Sequence, residues 1–425
     1  MTRWMRRGAI ALLLCVCLGA AAVVWLMPVL RGQAWYWEYF PQWLQRRPSV
    51  YLDIAIDQAK GGALRADRVD WVAVRAHAHE MAKDARTPAE TYPAIRYVLE
   101  ALGDEHSFLI PNAAESGAEP AESGVSAVYP EGVVYHVLLG SAAAAAGVRA
   151  GDTIERINGH TPEPNPRPRM RGYLVDVPAQ STMRLRRPGV AVPIDVTLAA
   201  GGVDKRWNLP PHGARIGADV GYVEVAGTLG MDRYTERLDA AVRDTDAPSV
   251  CGWIVDLRRN EGGNMWVMLR GLRPLVGNDP LGFFVTRGDH RSVWRDAAPR
   301  EPSAPADHLH HVDPPVAVLT SRITASSGEA VAIAFRGRPE TRSFGEPTWG
   351  LTTGNSPRRM PDGAVLELTT AAEADRLGRV YDDRIAPDDA VPLDWTKLDT
   401  AGDPVIAAAL AWLRARPACS PKHEP

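Results

Sequence analysis

A hydroxyl pair, Ser326-Ser327, follows the apolar run Val316-Ala317-Val318-Leu319 and leads through Gly328-Glu329 into an apolar helical stretch. A serine at the head of a helix stands where unpaired N–H groups and the helix dipole favour developing negative charge, which suits a nucleophile. Taken alone, Ser326 is most simply a helix N-cap. A second stretch, Asp104-Glu105-His106-Ser107, lies just past a helical segment that ends at Gly103. A histidine between acids and a hydroxyl is well placed to be held in one tautomer. A solvated or capping histidine accounts for the same residues. The third stretch runs from Asp256 to Asn264 and contains Glu261-Gly262-Gly263. Paired glycines after a strand let the backbone turn sharply and aim N–H groups at a phosphate or an oxyanion. The Lys-Ser/Thr of a nucleotide loop is missing, so nucleotide binding is discounted.

Metal chemistry finds less support. Asp307-His308-Leu309-His310-His311 has ligand-type residues, but in a polar, Pro-flanked loop that reads as solvated surface. His77 and His79 read as helix surface with no acid at ligand spacing. No cofactor and no metal are expected. Cys251 and Cys419 are the two cysteines outside the N-terminal apolar run, and a disulfide and a buried free thiol both remain open.

The elements that must position these groups fall into distinct textures. Residues 36–110 have helical periodicity, with apolar residues at three- and four-residue spacing over 51–59 and 69–82. Thr87-Pro88-Ala89-Glu90 reads as a capped helix start. Residues 111–123 read as a linker. Next comes a β-rich block: Gly124 to Ala127, the alternation through Val133 to Val137, the small-residue helix Ser141 to Ala146, Gly147 to Asp152, and Ile154 to Gly159 with an Asn-Gly hairpin turn. This order resembles a PDZ domain of the bacterial protease type. In such a domain the loop at Ser123-Gly124-Val125 offers N–H groups to a peptide's terminal carboxylate, and the peptide adds as a strand. An ordinary β-rich domain that binds nothing is the other reading. Residues 161–171 read as an extended Pro- and Arg-rich loop, and 201–219 as a linker. From Val220 onward short apolar strands (221–226, 251–257, 315–319) alternate with helices (233–243, 265–275, 327–336), which predicts a mixed, largely parallel α/β sheet. Function in such sheets gathers at the C-terminal strand ends, where Asp256 to Asn264 and Ser326 fall.

The chain has 425 residues and a net charge of −3, with no electrostatic footprint for nucleic acid. Its 45% hydrophobic content excludes a mostly disordered chain. Arg3, Arg6 and Arg7 precede an uncharged stretch from Gly8 to Leu30. At about 1.5 Å per residue, that stretch is long enough to cross a hydrocarbon core of about 30 Å. The basic flank predicts a single-pass anchor in the cytoplasmic membrane with the rest of the chain in a periplasm. A cleaved signal at Ala20-Ala21-Ala22 is the alternative.

Taken together, Leu102 to Ser107, the PDZ-like block, Asp256 to Asn264, Thr324 to Glu329, Phe344-Gly345-Glu346-Pro347-Thr348-Trp349-Gly350 and Ile385-Ala386-Pro387-Asp388 resemble the carboxy-terminal processing, or tail-specific, serine peptidases of the S41 type. That set includes tricorn-like members. The resemblance implies a ClpP/crotonase-like α/β core and four segments: a membrane anchor or signal over 1–34, a helical region over 35–116, a PDZ-like domain over 117–203 and a catalytic domain over 204–425. It implies Ser326 as nucleophile, with Ser327 as the neighbouring alternative. One branch places a basic Lys just after the "GEPT" block; here Leu351 stands there, and 326–375 contains no Lys. This departure turns attention to His106 as base, as in the tricorn-like branch, with Asp383, Asp382 or Glu373 as the acid. Asp383 is carried forward. Gly262 and Ser327 would form the oxyanion hole, and Gly124 and Val125 would bind peptide. The implied activity is endoproteolysis of unfolded or flexible extracytoplasmic proteins. The alternative is a catalytically inactive PDZ-containing scaffold of the same fold.

Overall fold

The computed structural model describes residues 41–112, 123–164, 173–175, 177–199, 210–229, 233–277, 280–294 and 309–419. The expected anchor or signal over 1–34, most of the 111–123 linker, and Asp307 and His308 lie outside the described residues. So do residues 165–171 of the Pro- and Arg-rich loop. Among the described residues, no helix is long and apolar enough to cross a membrane. The described residues form two compact units, one from 41–112 with 355–370, the other from 123–354 with 371–419.

The first unit is built on helices α1 (Pro48–Gly62), α2 (Trp71–Met81) and α3 (Tyr92–Glu100). Pro48 opens α1 at a position that needs no N–H donor, and the Asp70 carboxylate caps α2 by accepting from Val72 and Ala73 N–H. Helix α3 starts later than Thr87-Pro88 predicts, because residues Ala89–Thr91 form a 3₁₀ turn first. Glu90 still reaches back to Thr87 Oγ1 (3.0 Å) and Arg86 N–H (2.9 Å). Tyr92, Ile95, Val98 and Leu99 of α3 are buried against α1 and against Met360, Ala364, Leu366 and Leu368. Those last four come from a segment the sequence reading assigns to the catalytic domain. The Tyr51 and Tyr92 hydroxyls both donate to buried Asp362, each at 2.6 Å. Strand β1 (Phe108–Ile110) pairs antiparallel with residues 365–367.

The β-rich part of the second unit comprises β2 (Val125–Ala127), β3 (Val134–Val137), α4 (Ala142–Ala145), β4 (Thr153–Ile157), β5 (Thr182–Arg186) and β6 (Ile194–Thr197). The Ser141 hydroxyl caps α4, and Gly147 at φ 80° ends it. Asn158 and Gly159, both at positive φ, make the two-residue turn between Ile157 and His160 that the sequence predicts. Asp152, 1% exposed, is held by Arg187 through two bonds of 2.7 and 2.8 Å.

The remainder is organised by β7 (His212–Ile216), β8 (Val220–Glu224), β9 (Gly252–Asp256), β12 (Val316–Thr320), β13 (Thr341–Gly345) and β17 (Asp389–Ala390), in the sheet order β17-β13-β12-β9-β8-β7. Every pairing in it is parallel except β7 with β8. The stretch read as a linker over 201–219 therefore contains a strand. All residues of β9 and β12 are buried, as expected where helices cover both faces. Helices α5 (Tyr234–Thr245), α6 (Met265–Gly271) and α7 (Ser327–Phe335) cover one face. Helix α8 (Pro404–Arg414) lays Val405, Ala409 and Leu413 on the other, against Ile254, Ala317 and Leu319. Each large apolar side chain so buried contributes about 1.5–3 kcal/mol. A second sheet joins β10 (Gly282–Thr286), β11 (His290–Val293), residues 372–375 of β15 (Val365–Asp375) and β16 (Val380–Tyr381). Strand β14 (Thr353–Arg359) precedes β15. Cys251, beside β9, forms a disulfide with Cys419, which settles the alternative left open by the sequence.

Candidate active site

Ser326 sits between β12 and α7 with φ 50° and ψ −120°. This is the backbone of the first central residue of a type II′ turn, a place glycine usually takes. A non-glycine residue held there costs of order 1–3 kcal/mol and persists only where its surroundings over-determine it. Here they do. Ala325 N–H donates to the Asn260 carbonyl (2.9 Å), and Trp349 N–H donates to the Thr324 carbonyl (2.8 Å). Ser326 N–H donates to Glu329 Oε2 (2.9 Å).

Glu329, fully buried, accepts three further bonds: Leu351 N–H on Oε2 (2.7 Å), and Gly350 N–H (2.8 Å) and the Thr348 hydroxyl (2.5 Å) on Oε1. Burial pushes its carboxyl up to about 7, against those hydrogen bonds, which lower it. Leu351 thus enters through its backbone, at the position where one branch of the resembling family carries Lys. The sequence reading missed Glu329 as a site residue, although the Ser-x-x-Glu spacing of a capping box was there to find it.

The glycine pair lies beside the serine. A Cβ on Gly262 (φ 108°) would stand 2.9 Å from Ser326 Cβ, so only glycine fits. The Gly262 N–H, expected to face an oxyanion, donates instead to Asn260 Oδ1 (3.0 Å). Asn260 is itself fixed by donating Nδ2–H to the Val225 carbonyl (2.9 Å). Among the described residues, Gly263 N–H and Ser327 N–H have no acceptor, and the Ser327 hydroxyl donates to the Gly263 carbonyl (2.7 Å). Next to the pair, Glu261 accepts from the Tyr135 hydroxyl of β3 (2.6 Å), and burial, then the Glu261 charge, raises that phenol.

The three acids differ in setting. Asp382 and Asp383 are exposed, with Asp383 Oδ1 against the Gly350 backbone. Glu373 is 2% exposed with Oε2 unpartnered; burial, then the Glu329 charge, pushes it well above the carboxylate range.

His106, in the first unit, is 8% exposed. Asp104 Oδ1 accepts from the N–H groups of His106 (3.1 Å) and Ser107 (2.6 Å), and Asn355 Nδ2–H donates to the His106 carbonyl (2.8 Å). Its backbone is therefore pinned on both sides.

Gly124 has φ 77°, and its carbonyl accepts from Leu138 N–H (2.9 Å), while Val125 N–H donates to Ser123 Oγ (3.3 Å). The strand edge beyond them carries the chain's own residues 173–175. Tyr129 N–H donates to the Tyr173 carbonyl (2.7 Å), Val175 N–H donates to the Ala127 carbonyl (2.8 Å), and Val128 faces Leu174 antiparallel. Tyr173 in turn packs edge-on to Trp349, with ring centroids 5.3 Å apart.

The histidines considered for metal have other roles. His310 Nδ1 pairs with Asp246 (2.7 Å), and His311 Nε2 lies 3.1 Å from the Pro248 carbonyl. His79, expected to lack an acid, lies 3.0 Å from Asp53, because α1 runs beside α2; His77 packs against Tyr97. Among the described residues, no group of three or more potential ligands could hold a metal ion.

Residues 219–391 match Peptidase family S41. The matched segment holds the glycine loop, Ser326, Glu329 and the three candidate acids, whereas His106, Gly124 and Val125 lie before it. Among curated relatives, the nisin-resistance protein of Lactococcus lactis is 32% identical over 143 residues, 32% of this chain and 45% of that protein. Carboxyl-terminal-processing peptidase 2 of Arabidopsis thaliana is 26% identical over 74% of this chain and 63% of its own length. The chain thus spans less than two thirds of these two relatives. The carboxyl-terminal-processing protease of Picosynechococcus is 26% identical over 72% of this chain and 74% of its own. The mixed α/β fold is similar to that of a solved photosystem II D1 C-terminal processing protease, with TM-score 0.54, 20% identity, and 88% and 98% of the two chains covered. It is also similar to that of a lipoprotein from Streptococcus agalactiae, with TM-score 0.56, 19% identity, and 87% and 97% covered.

Proposed function

We propose that this chain is a serine endopeptidase of the C-terminal processing type, acting on flexible or unfolded extracytoplasmic proteins. The observation that carries the reading is Ser326: a hydroxyl held in a glycine-type backbone conformation at the head of α7, with a glycine turn against it. His106 takes the hydroxyl proton as Ser326 Oγ bonds to the peptide carbonyl carbon. The oxyanion is received by Ser327 N–H and, since the Gly262 N–H is engaged, by that of Gly263. Each such donor is typically worth about 2.7–4 kcal/mol of barrier. His106 then gives its proton to the leaving amine, and water attacks the acyl-enzyme by the same route in reverse. Asp383 is the acid we assign to orient His106. The tricorn-like use of histidine follows from the missing Lys.

The location belongs to the same proposal. The Cys251–Cys419 disulfide fits an oxidising compartment, and Gly8 to Leu30 would anchor the chain or direct its export. Gly124 and Val125 remain the site proposed for a peptide end. Incubating the protein with a fluorophosphonate probe and with an unfolded protein substrate tests the reading. Label and cleavage are expected in the wild type, with neither in Ser326→Ala and cleavage reduced at least 100-fold in His106→Ala. Parental cleavage by Ser326→Ala would refute it.

A further inference from the structure

The Glu329 carboxylate does more than cap a helix. A glutamate at the third position of a helix commonly returns one bond to the N-cap N–H. Glu329 makes that bond to Ser326 and spends its remaining acceptor capacity on one loop, through Thr348, Gly350 and Leu351. The same loop reaches the other side of the nucleophile, where Trp349 N–H meets the Thr324 carbonyl. The Thr348 hydroxyl has its direction dictated, because it accepts from Ile385 N–H (2.8 Å) and so turns its proton to Glu329. Four donors converge on one buried carboxylate. A second buried carboxyl, Glu373, lies close by with an unpartnered oxygen. The donors collect on Glu329, where they favour the ionised form, and not on Glu373 Oε2.

We propose that Glu329 is the positioning residue for the nucleophile: its carboxylate ties the Ser326 N–H to the 348–351 loop and so holds the strained turn from which the hydroxyl attacks. This inference rests on the serine-peptidase reading above. Glu329 acts through Ser326 and makes no contact with substrate.

The test compares wild type, Glu329→Gln, Thr348→Val and Thr348→Ser by fluorophosphonate labelling rate and by kcat and KM on a peptide. Glutamine keeps the size of glutamate but turns an amide NH2 toward N–H donors. Glu329→Gln is expected to label and turn over at least 100-fold more slowly, with KM within threefold and a cooperative thermal transition retained. Thr348→Val removes one donor and is expected to label about tenfold more slowly, and Thr348→Ser restores the rate to within twofold. A folded Glu329→Gln protein that labels at the wild-type rate, or loses activity only through KM, overturns the inference. If Glu329→Gln does not fold, Thr348→Val decides, and an unchanged rate overturns it. A wild type that takes no label overturns the peptidase reading and this inference together, whereas equal labelling of wild type and variant overturns the inference alone.

Discussion

At Glu329, stability and positioning pull in opposite directions. Its carboxyl is raised to about 7 by burial, so the folded chain keeps this proton to a higher pH than the unfolded chain does. Stability from this group is complete below its ordinary value of 4.5 and is lost as pH rises toward 7. At about 1.4 kcal/mol per unit, the loss comes to about 3 kcal/mol. The four donors around the carboxylate nevertheless require the ionised form. The site is therefore best organised at the pH where this residue stabilises the fold least, a pattern common where function uses a buried charge. Urea unfolding of wild type and Glu329→Gln at pH 5 and pH 8 measures this directly. Wild type should lose about 2.5 kcal/mol more than the variant across the interval. The subtraction removes other raised carboxyls, Glu224 and Glu367 among them. Parallel changes in the two proteins would show that Glu329 does not titrate there.

Elements were legible where one local signal sufficed. The apolar runs of β9 and β12 and the small-residue helix α4 appear within one or two residues of their predicted places, because covered parallel strands and capped helices mark themselves in sequence. Ser326 and the glycine loop were legible for the same reason, since strand ends and helix starts carry them. What escaped depends on distant partners. Nothing near residues 355–370 says that Leu366 and Leu368 fold with Ile95 and Val98. Nothing near Asn260 says that its side chain would take the Gly262 N–H. The pairing of 173–175 with Ala127–Tyr129 is a third case, and it bears on binding. In the proposed peptide-binding reading a peptide would add as a strand, and the chain's own residues 173–175 pair along the strand edge that would receive it, with Leu174 and Val175 at 8% and 5% exposure. Leu174→Asp places a charge where an apolar side chain is buried and should release the segment. The wild type is expected to bind a fluorescent peptide with a free C-terminus at least tenfold more weakly than Leu174→Asp, read by anisotropy. Equal affinities would mean that residues 173–175 do not compete for the edge.

Among the described residues, the Cys251–Cys419 bond is a covalent tie between residues 168 apart. It fixes the end that follows α8 beside the start of β9, so the helix covering Ile254, Ala317 and Leu319 is anchored by chemistry as well as by packing. The exposed Arg414–Asp219 pair near the same end (3.0 Å) adds little, since solvent screens it. By loop entropy alone, closing so long a loop stabilises by up to about 5 kcal/mol, and measured native bonds cluster around 2–4. A Cys251→Ser, Cys419→Ser double variant should therefore unfold at lower denaturant by about that free energy. The effect should be local before it is global: α8 amides should lose hydrogen-exchange protection while those of β9 and β12 keep theirs, because the central strands remain covered by α5, α6 and α7 on the opposite face. Dithiothreitol should reproduce both changes in the wild type and neither in the double variant. An unfolding midpoint indifferent to reductant would mean that packing of Val405, Ala409 and Leu413 alone holds this end of the chain, and would withdraw the disulfide as support for an extracytoplasmic location.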